Sequence, residues 1–96
     1  MSNVQQTSIE AFRNVQPKLG NQQLLVYRCL SRHPNGLNNK EIAEALGWDI
    51  NRVTPRVKEL RERGIVEFFE YRACSFTGKN TMVWVCAFHN HRRKNT

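Results

Sequence analysis

A chain of 96 residues and 11.3 kDa is one small domain, with little room for an elaborate catalytic cleft beside its own core. At 40% hydrophobic and 24% charged it is too apolar to be wholly disordered, and no stretch approaches the ~20 apolar residues of a membrane span. Fifteen Lys and Arg against eight Asp and Glu give a formal net charge of +7 and a pI near 9.9, a balance that favours a polyanionic partner. The excess is uneven, with net +1 over residues 1–50 and net +6 over residues 51–96. The anion-binding surface is therefore expected in the second half.

The polar segment Met1–Val15 does not read as a signal peptide. Cys29, Cys74 and Cys86 are odd in number and include no C-x-x-C pair, so they do not form a disulfide framework. Free thiols fit a reducing, cytoplasmic setting. Cys74, Cys86, His89 and His91 lack the two ligand pairs of a zinc site, and no metal or cofactor is expected.

Along the chain, Thr7-Ser8-Ile9-Glu10 is a capping box, and Ile9, Phe12 and Val15 recur every three residues until Pro17 and Gly20. Residues 1–20 thus read as an extension with one short helix. Asn21 is an N-cap candidate for a stronger helix. Its apolar stripe of Leu24, Leu25, Tyr27, Cys29 and Leu30 ends at His33-Pro34-Asn35-Gly36. Asn38, with Glu41 three residues on, caps a short helix that buries Ile42, Ala43 and Leu46 and stops at Gly47.

A third helix follows, capped by Asp49 or Asn51. Val53, Val57 and Leu60 share one face, and Gly64 closes it. Pro55 costs roughly 3 kcal/mol deep inside a helix, so a kink or a late start is expected. Ile65–Tyr71 is β-branched and aromatic and predicts a strand. Ser75–Asn80 is a turn, and Thr81–Phe88 is a second, nearly all-apolar strand. Met82, Trp84, Cys86 and Phe88 share one face of it, and Val83, Val85 and Ala87 the other. The tail His89–Thr96 is basic and expected to fray.

The informative feature is the short step from Leu46-Gly47 into the next helix, which is helix-turn-helix geometry. Over residues 21–88 the sequence resembles the winged helix-turn-helix family. The resemblance rests on Asn39-Lys40-Glu41-Ile42-Ala43, Leu46-Gly47-Trp48, Val53-Thr54 and Lys58-Glu59-Leu60-Arg61-Glu62-Arg63-Gly64-Ile65-Val66. Thr54-Pro55-Arg56, Thr77-Gly78-Lys79 and Val83-Trp84 are most similar to small phage- and prophage-encoded members. The resemblance implies an α+β fold, a three-helix core plus a β-hairpin wing, here with the short extra N-terminal helix. It makes residues 50–63 the recognition helix and residues 75–80 the wing.

With Val53, Val57 and Leu60 inward, Asn51, Arg52, Thr54, Arg56 and Lys58 face outward. Arg can pair with guanine and Asn with adenine in the major groove. Lys40 at a helix N-terminus and Lys79 at the wing tip are phosphate candidates. Arg61 and Arg63 read better as a solvated surface paired with Glu59 and Glu62. Trp48 reads as a packing anchor at the turn, and Trp84 as core.

The function expected is sequence-specific binding of double-stranded DNA by a small transcriptional regulator. No small-molecule effector is expected, and a homodimer would form through the Thr7–Val15 helix or the hairpin. The alternative is a protein–protein contact module in a replication or transcription assembly, which Phe68, Phe69, Tyr71 and Phe76 would serve. An enzyme is not expected, because no nucleophile stands beside a plausible base and no glycine-rich phosphate loop is present.

Overall fold

The computed structural model describes residues 19–94, so the helix expected over Thr7–Val15 lies outside the described residues. Helix α1 spans Asn21–Ser31, α2 Asn39–Leu46 and α3 Ile50–Glu62. Strands β1 (Val66–Ala73) and β2 (Asn80–Cys86) form an antiparallel hairpin, and α4 covers Ala87–Lys94.

The cap of α1 is Gly20 rather than Asn21. Gly20 is extended, and the Gln23 side chain accepts its N–H at 3.3 Å. The Asn38 capping box of α2 is as expected: Asn38 Oδ1 accepts the Glu41 N–H at 2.8 Å, and Glu41 Oε1 accepts the Asn38 N–H at 3.0 Å. Gly47, at φ 69°, ends α2 with the Trp48 N–H on the Ala43 carbonyl at 2.9 Å. That left-handed residue suits glycine and turns the chain into α3 within three residues.

Asp49, not Asn51, caps α3 by accepting the Asn51 N–H at 2.8 Å. The helix therefore starts early and runs unbroken through Pro55. The lost donor would have met the Asn51 carbonyl, and both residues lie on the exposed face, where solvent can reach that carbonyl.

Val26, Tyr27 and Leu30 of α1, Ile42 of α2, and Val53, Val57 and Leu60 of α3 converge on Val66, Trp84 and Cys86 of the hairpin. The loop before α2 joins the sheet, because Leu37 and Trp84 exchange N–H···O bonds of 3.0 and 2.9 Å. Gly36 permits that approach. A Cβ there would fall 2.6 Å from Val83 Cγ1 and 2.7 Å from the Trp84 carbonyl oxygen.

Two sequence expectations fail in the hairpin and tail. The second strand ends at Cys86 rather than Phe88, and the tail continues as α4. The cause is packing. Phe88 meets the Tyr27 ring edge-on at 6.5 Å, and His89 Nε2 donates to the Ser31 carbonyl at 2.9 Å. Asn90 and His91 both reach the Glu67 carboxylate, at 2.9 and 3.0 Å. The other departure is a β-bulge between Phe68 and Glu70, where Phe69 is the extra residue.

Leu60 is fully buried where α3 meets both α1 and the hairpin. Leu60→Ala is expected to lower unfolding free energy by about 2–5 kcal/mol in urea titration. An unshifted midpoint would mean that α3 presents another face to the core.

Candidate nucleic-acid interface

The first turns of α3 leave the protein with Asn51, Arg52, Thr54 and Lys58 exposed and Val53 and Val57 buried. Arg52 is pre-positioned. Its guanidinium carbon lies 4.1 Å from the centroid of Trp48, which itself packs against the core. Such a cation–π contact is worth ~0.5–1 kcal/mol at an exposed site. It leaves the donor edge of the guanidinium open, and Arg52 makes no ion pair among the described residues. The Thr54 hydroxyl donates to the Ile50 carbonyl at 3.1 Å and accepts from Asn39 Nδ2 at 3.4 Å, tying the start of α2 to α3.

Arg56 is placed differently from the outward reader expected. Its Nε and Nη2 grip the two oxygens of Glu59 at 2.9 Å, and Nη1 donates to Gln22 Oε1 at 2.9 Å. Gln23 Nε2 also donates to Glu59 at 2.8 Å. The Gln23 amide and the Arg56 guanidinium hold the Glu59 carboxyl below the usual carboxylate range. Arg56 thus belongs to the seam between α1 and α3. Lys40 and Lys58 make i,i+4 pairs with Glu44 at 3.0 Å and Glu62 at 4.0 Å. Exposed pairs of this kind contribute only ~0.3–0.5 kcal/mol.

The wing turn is folded against the start of α2. Cys74 and Lys79 pair through the Cys74 N–H and the Lys79 carbonyl at 2.8 Å, and Gly78 takes φ 75°. Ser75 donates its N–H and hydroxyl to Glu41 Oε2 at 3.0 and 2.8 Å. One carboxylate therefore caps α2 and anchors the wing. The exposed Lys79 side chain makes no ion pair among the described residues.

Sequence reasoning missed three features. Arg61 is not merely solvated, because its guanidinium carbon sits 4.4 Å from the Trp84 ring centroid. Asn39 at the start of α2 bonds Thr54, and its buried Oδ1 has no hydrogen-bond partner among the described residues. Ser75 is the wing's anchor. The i,i+3 spacing of Asn38 and Glu41 signals the cap, but no local pattern points from Glu41 to a residue 34 positions on.

Burial pushes the Glu41 carboxyl up. The N–H groups of Asn38 and Ser75, the Ser75 hydroxyl and the Arg72 charge outweigh it and leave the carboxyl below its usual range. A carboxyl lowered in the folded state contributes stability that is complete above its unfolded value of about 4.3 and is lost as pH falls through the folded value. Thermal unfolding followed from neutral to acid pH is therefore expected to show that loss. In Glu41→Gln the acid slope flattens and neutral-pH stability falls by about 1 kcal/mol. An unchanged acid slope would remove Glu41 from this role.

Residues 21–67 match a family model described as winged helix-turn-helix DNA-binding. Comparison with curated proteins finds no match. Among solved structures the chain is similar to a possible transcriptional regulator from Methanosarcina mazei Go1, with TM-score 0.62 and 18% identity. The match covers 90% of this chain and 71% of that one. The fold of this chain is the winged helix-turn-helix, and its residues 21–67 carry the sequence pattern of the family's DNA-binding domains.

Proposed function

We propose that the chain binds double-stranded DNA sequence-specifically and acts as a small transcriptional regulator. The observation that carries this reading is the exposed start of α3, where Arg52 lies on Trp48 with its donor edge open beside Asn51 and Thr54. In this reading Arg52 and Asn51 contact base edges and Thr54 a phosphate or a thymine methyl. Lys40, Lys58 and Lys79 hold phosphates, and Arg56 joins them by exchanging Glu59 for the backbone. The net charge of +7 supports such a partner.

The remaining elements of the reading are a homodimer on two half-sites, residence in the cytoplasm, no small-molecule effector and a phage or prophage origin. No helix among the described residues is long and apolar enough to cross a membrane. Domain limits of 1–20, 21–88 and 89–96 belong to the same proposal, with α4 crossing from the domain into the basic tail.

A second reading, a protein-contact module in a replication or transcription assembly, draws on Phe76. That residue is 57% exposed at the wing turn, beside a cleft lined by His33, Leu37, Glu44 and Ala45. Equilibrium DNA titration over a range of salt separates the two readings, since a protein-contact module has no steep salt-dependent DNA affinity. Arg52→Ala is expected to weaken binding by about 1–3 kcal/mol and to relax preference at one base pair. Lys79→Ala should weaken all sequences alike and reduce the log–log salt slope by about one. Unchanged affinity in Arg52→Ala would overturn the base-reading role, and an unchanged slope in Lys79→Ala would overturn the phosphate role.

A further inference from the structure

The bulge at Phe69 sorts the hairpin's side chains. Without the extra residue, strict alternation would put Phe68 and Tyr71 on opposite faces. With it, Phe68 pairs with Trp84 and Tyr71 with Met82 on one face, while Glu67, Glu70 and Arg72 fall on the other. The carboxylates are occupied there: Glu67 meets α4, and Glu70 pairs with Arg72 at 2.9 Å. The aromatic face carries no acid at all.

That face is open. Tyr71 is 67% exposed, Phe68 41% and Met82 37%. The Phe68 ring lies edge-on to Tyr71 at 5.2 Å and to Trp84 at 6.2 Å. The rings form a continuous ladder across the sheet. Met82 and Trp84 also line a groove with Ile50, Asn39 and Lys40, so the ladder runs directly into the first residue of α3. Ile50, Thr54 and Arg61 recur at helical spacing along the edge of α3 nearest the hairpin, and Arg61 overhangs Trp84. The surface is an aromatic floor without carboxylates, with Arg61 over its α3 edge, Lys40 at the groove and the start of α3 at its end.

We propose that this face stacks unpaired bases of a DNA strand that continues from the duplex held by α3, so that the protein prefers a duplex bordered by single-stranded or melted DNA. The inference rests on the DNA-binding reading above and adds a second subsite to it. Cations tracking a backbone beside exposed rings are what sequence-tolerant single-strand binding requires. A protein partner matched to such a face would bring its own acidic rim. Direct continuity with the recognition helix instead favours the same nucleic acid as occupant.

The test compares a blunt mixed-sequence duplex with the same duplex bearing an oligothymidine overhang, using the full chain and Tyr71→Ala. Tyr71 is exposed, so the variant should fold, which circular dichroism checks. Phe68→Leu serves as a second variant that keeps the apolar contact and loses the ring. The overhang is expected to tighten binding about tenfold, and both variants to lose that gain while keeping blunt-duplex affinity within about twofold. No gain from the overhang, or a gain that survives both substitutions, overturns the stacking subsite while leaving duplex binding intact. Failure to bind either probe overturns the DNA reading itself and the subsite with it. A dimer in sedimentation velocity that dissociates in Tyr71→Ala would assign the face to a second copy and overturn the proposal.

Discussion

Asn38 is 2% exposed, and every part of it is used. Its N–H donates to the Glu41 carboxylate, its Oδ1 accepts the Glu41 N–H, its carbonyl accepts the Ile42 N–H, and its Nδ2 donates to the Thr81 hydroxyl at 2.8 Å. A buried amide with a missing partner costs several times what a satisfied one contributes. These bonds therefore permit one arrangement of the start of α2 against β2. The neighbouring Leu37 pairs with Trp84, Gly36 lies against Val83, and Glu41 reaches Ser75 in the wing. The stretch from Gly36 to Glu41 is where helices, sheet and wing are held in register.

That register decides which cations face outward. Arg52 and Arg56 lie one turn apart on α3 and have opposite roles. Arg52 projects from the N-terminal turn and finds only the Trp48 ring beneath it, so its position is fixed without its donors being consumed. Arg56 projects over α1 and spends its donors on Glu59 and Gln22. Removing Glu59 would both loosen α1 against α3 and release the Arg56 guanidinium. The two arginines share a helix and a charge, yet the donors of one are left open and those of the other are spent between α1 and α3.

Much of this was legible in the sequence where the determinant is local. The Asn38–Glu41 box, the glycine stops at Gly47 and Gly64, and the Val53, Val57, Leu60 face are i,i+3 or i,i+4 relations, and all appear in the structure. What was not legible depends on distant neighbours. The apolar run of β2 continues through Ala87 and Phe88, and it is distant partners, the Tyr27 ring, the Ser31 carbonyl and the Glu67 carboxylate, that hold the following residues as a helix. The bulge at Phe69 in β1 has no local signal, and the withdrawal of Arg56 depends partly on Gln22, 34 positions away. Outward-facing residues on α3 followed from helical period alone. Which of them keep their donors available required the third dimension.

In the proposed function the start of α3, the start of α2 and the wing turn form one DNA-binding surface. Backbone amide chemical shifts measured by NMR during titration with duplex DNA test it most directly. The account predicts that the largest shifts map to Asn39–Lys40, Ile50–Lys58 and Thr77–Asn80 in a single salt-sensitive event. Shifts confined to α1 and α4, with the amides of Asn51 and Arg52 unmoved at saturation, would contradict it.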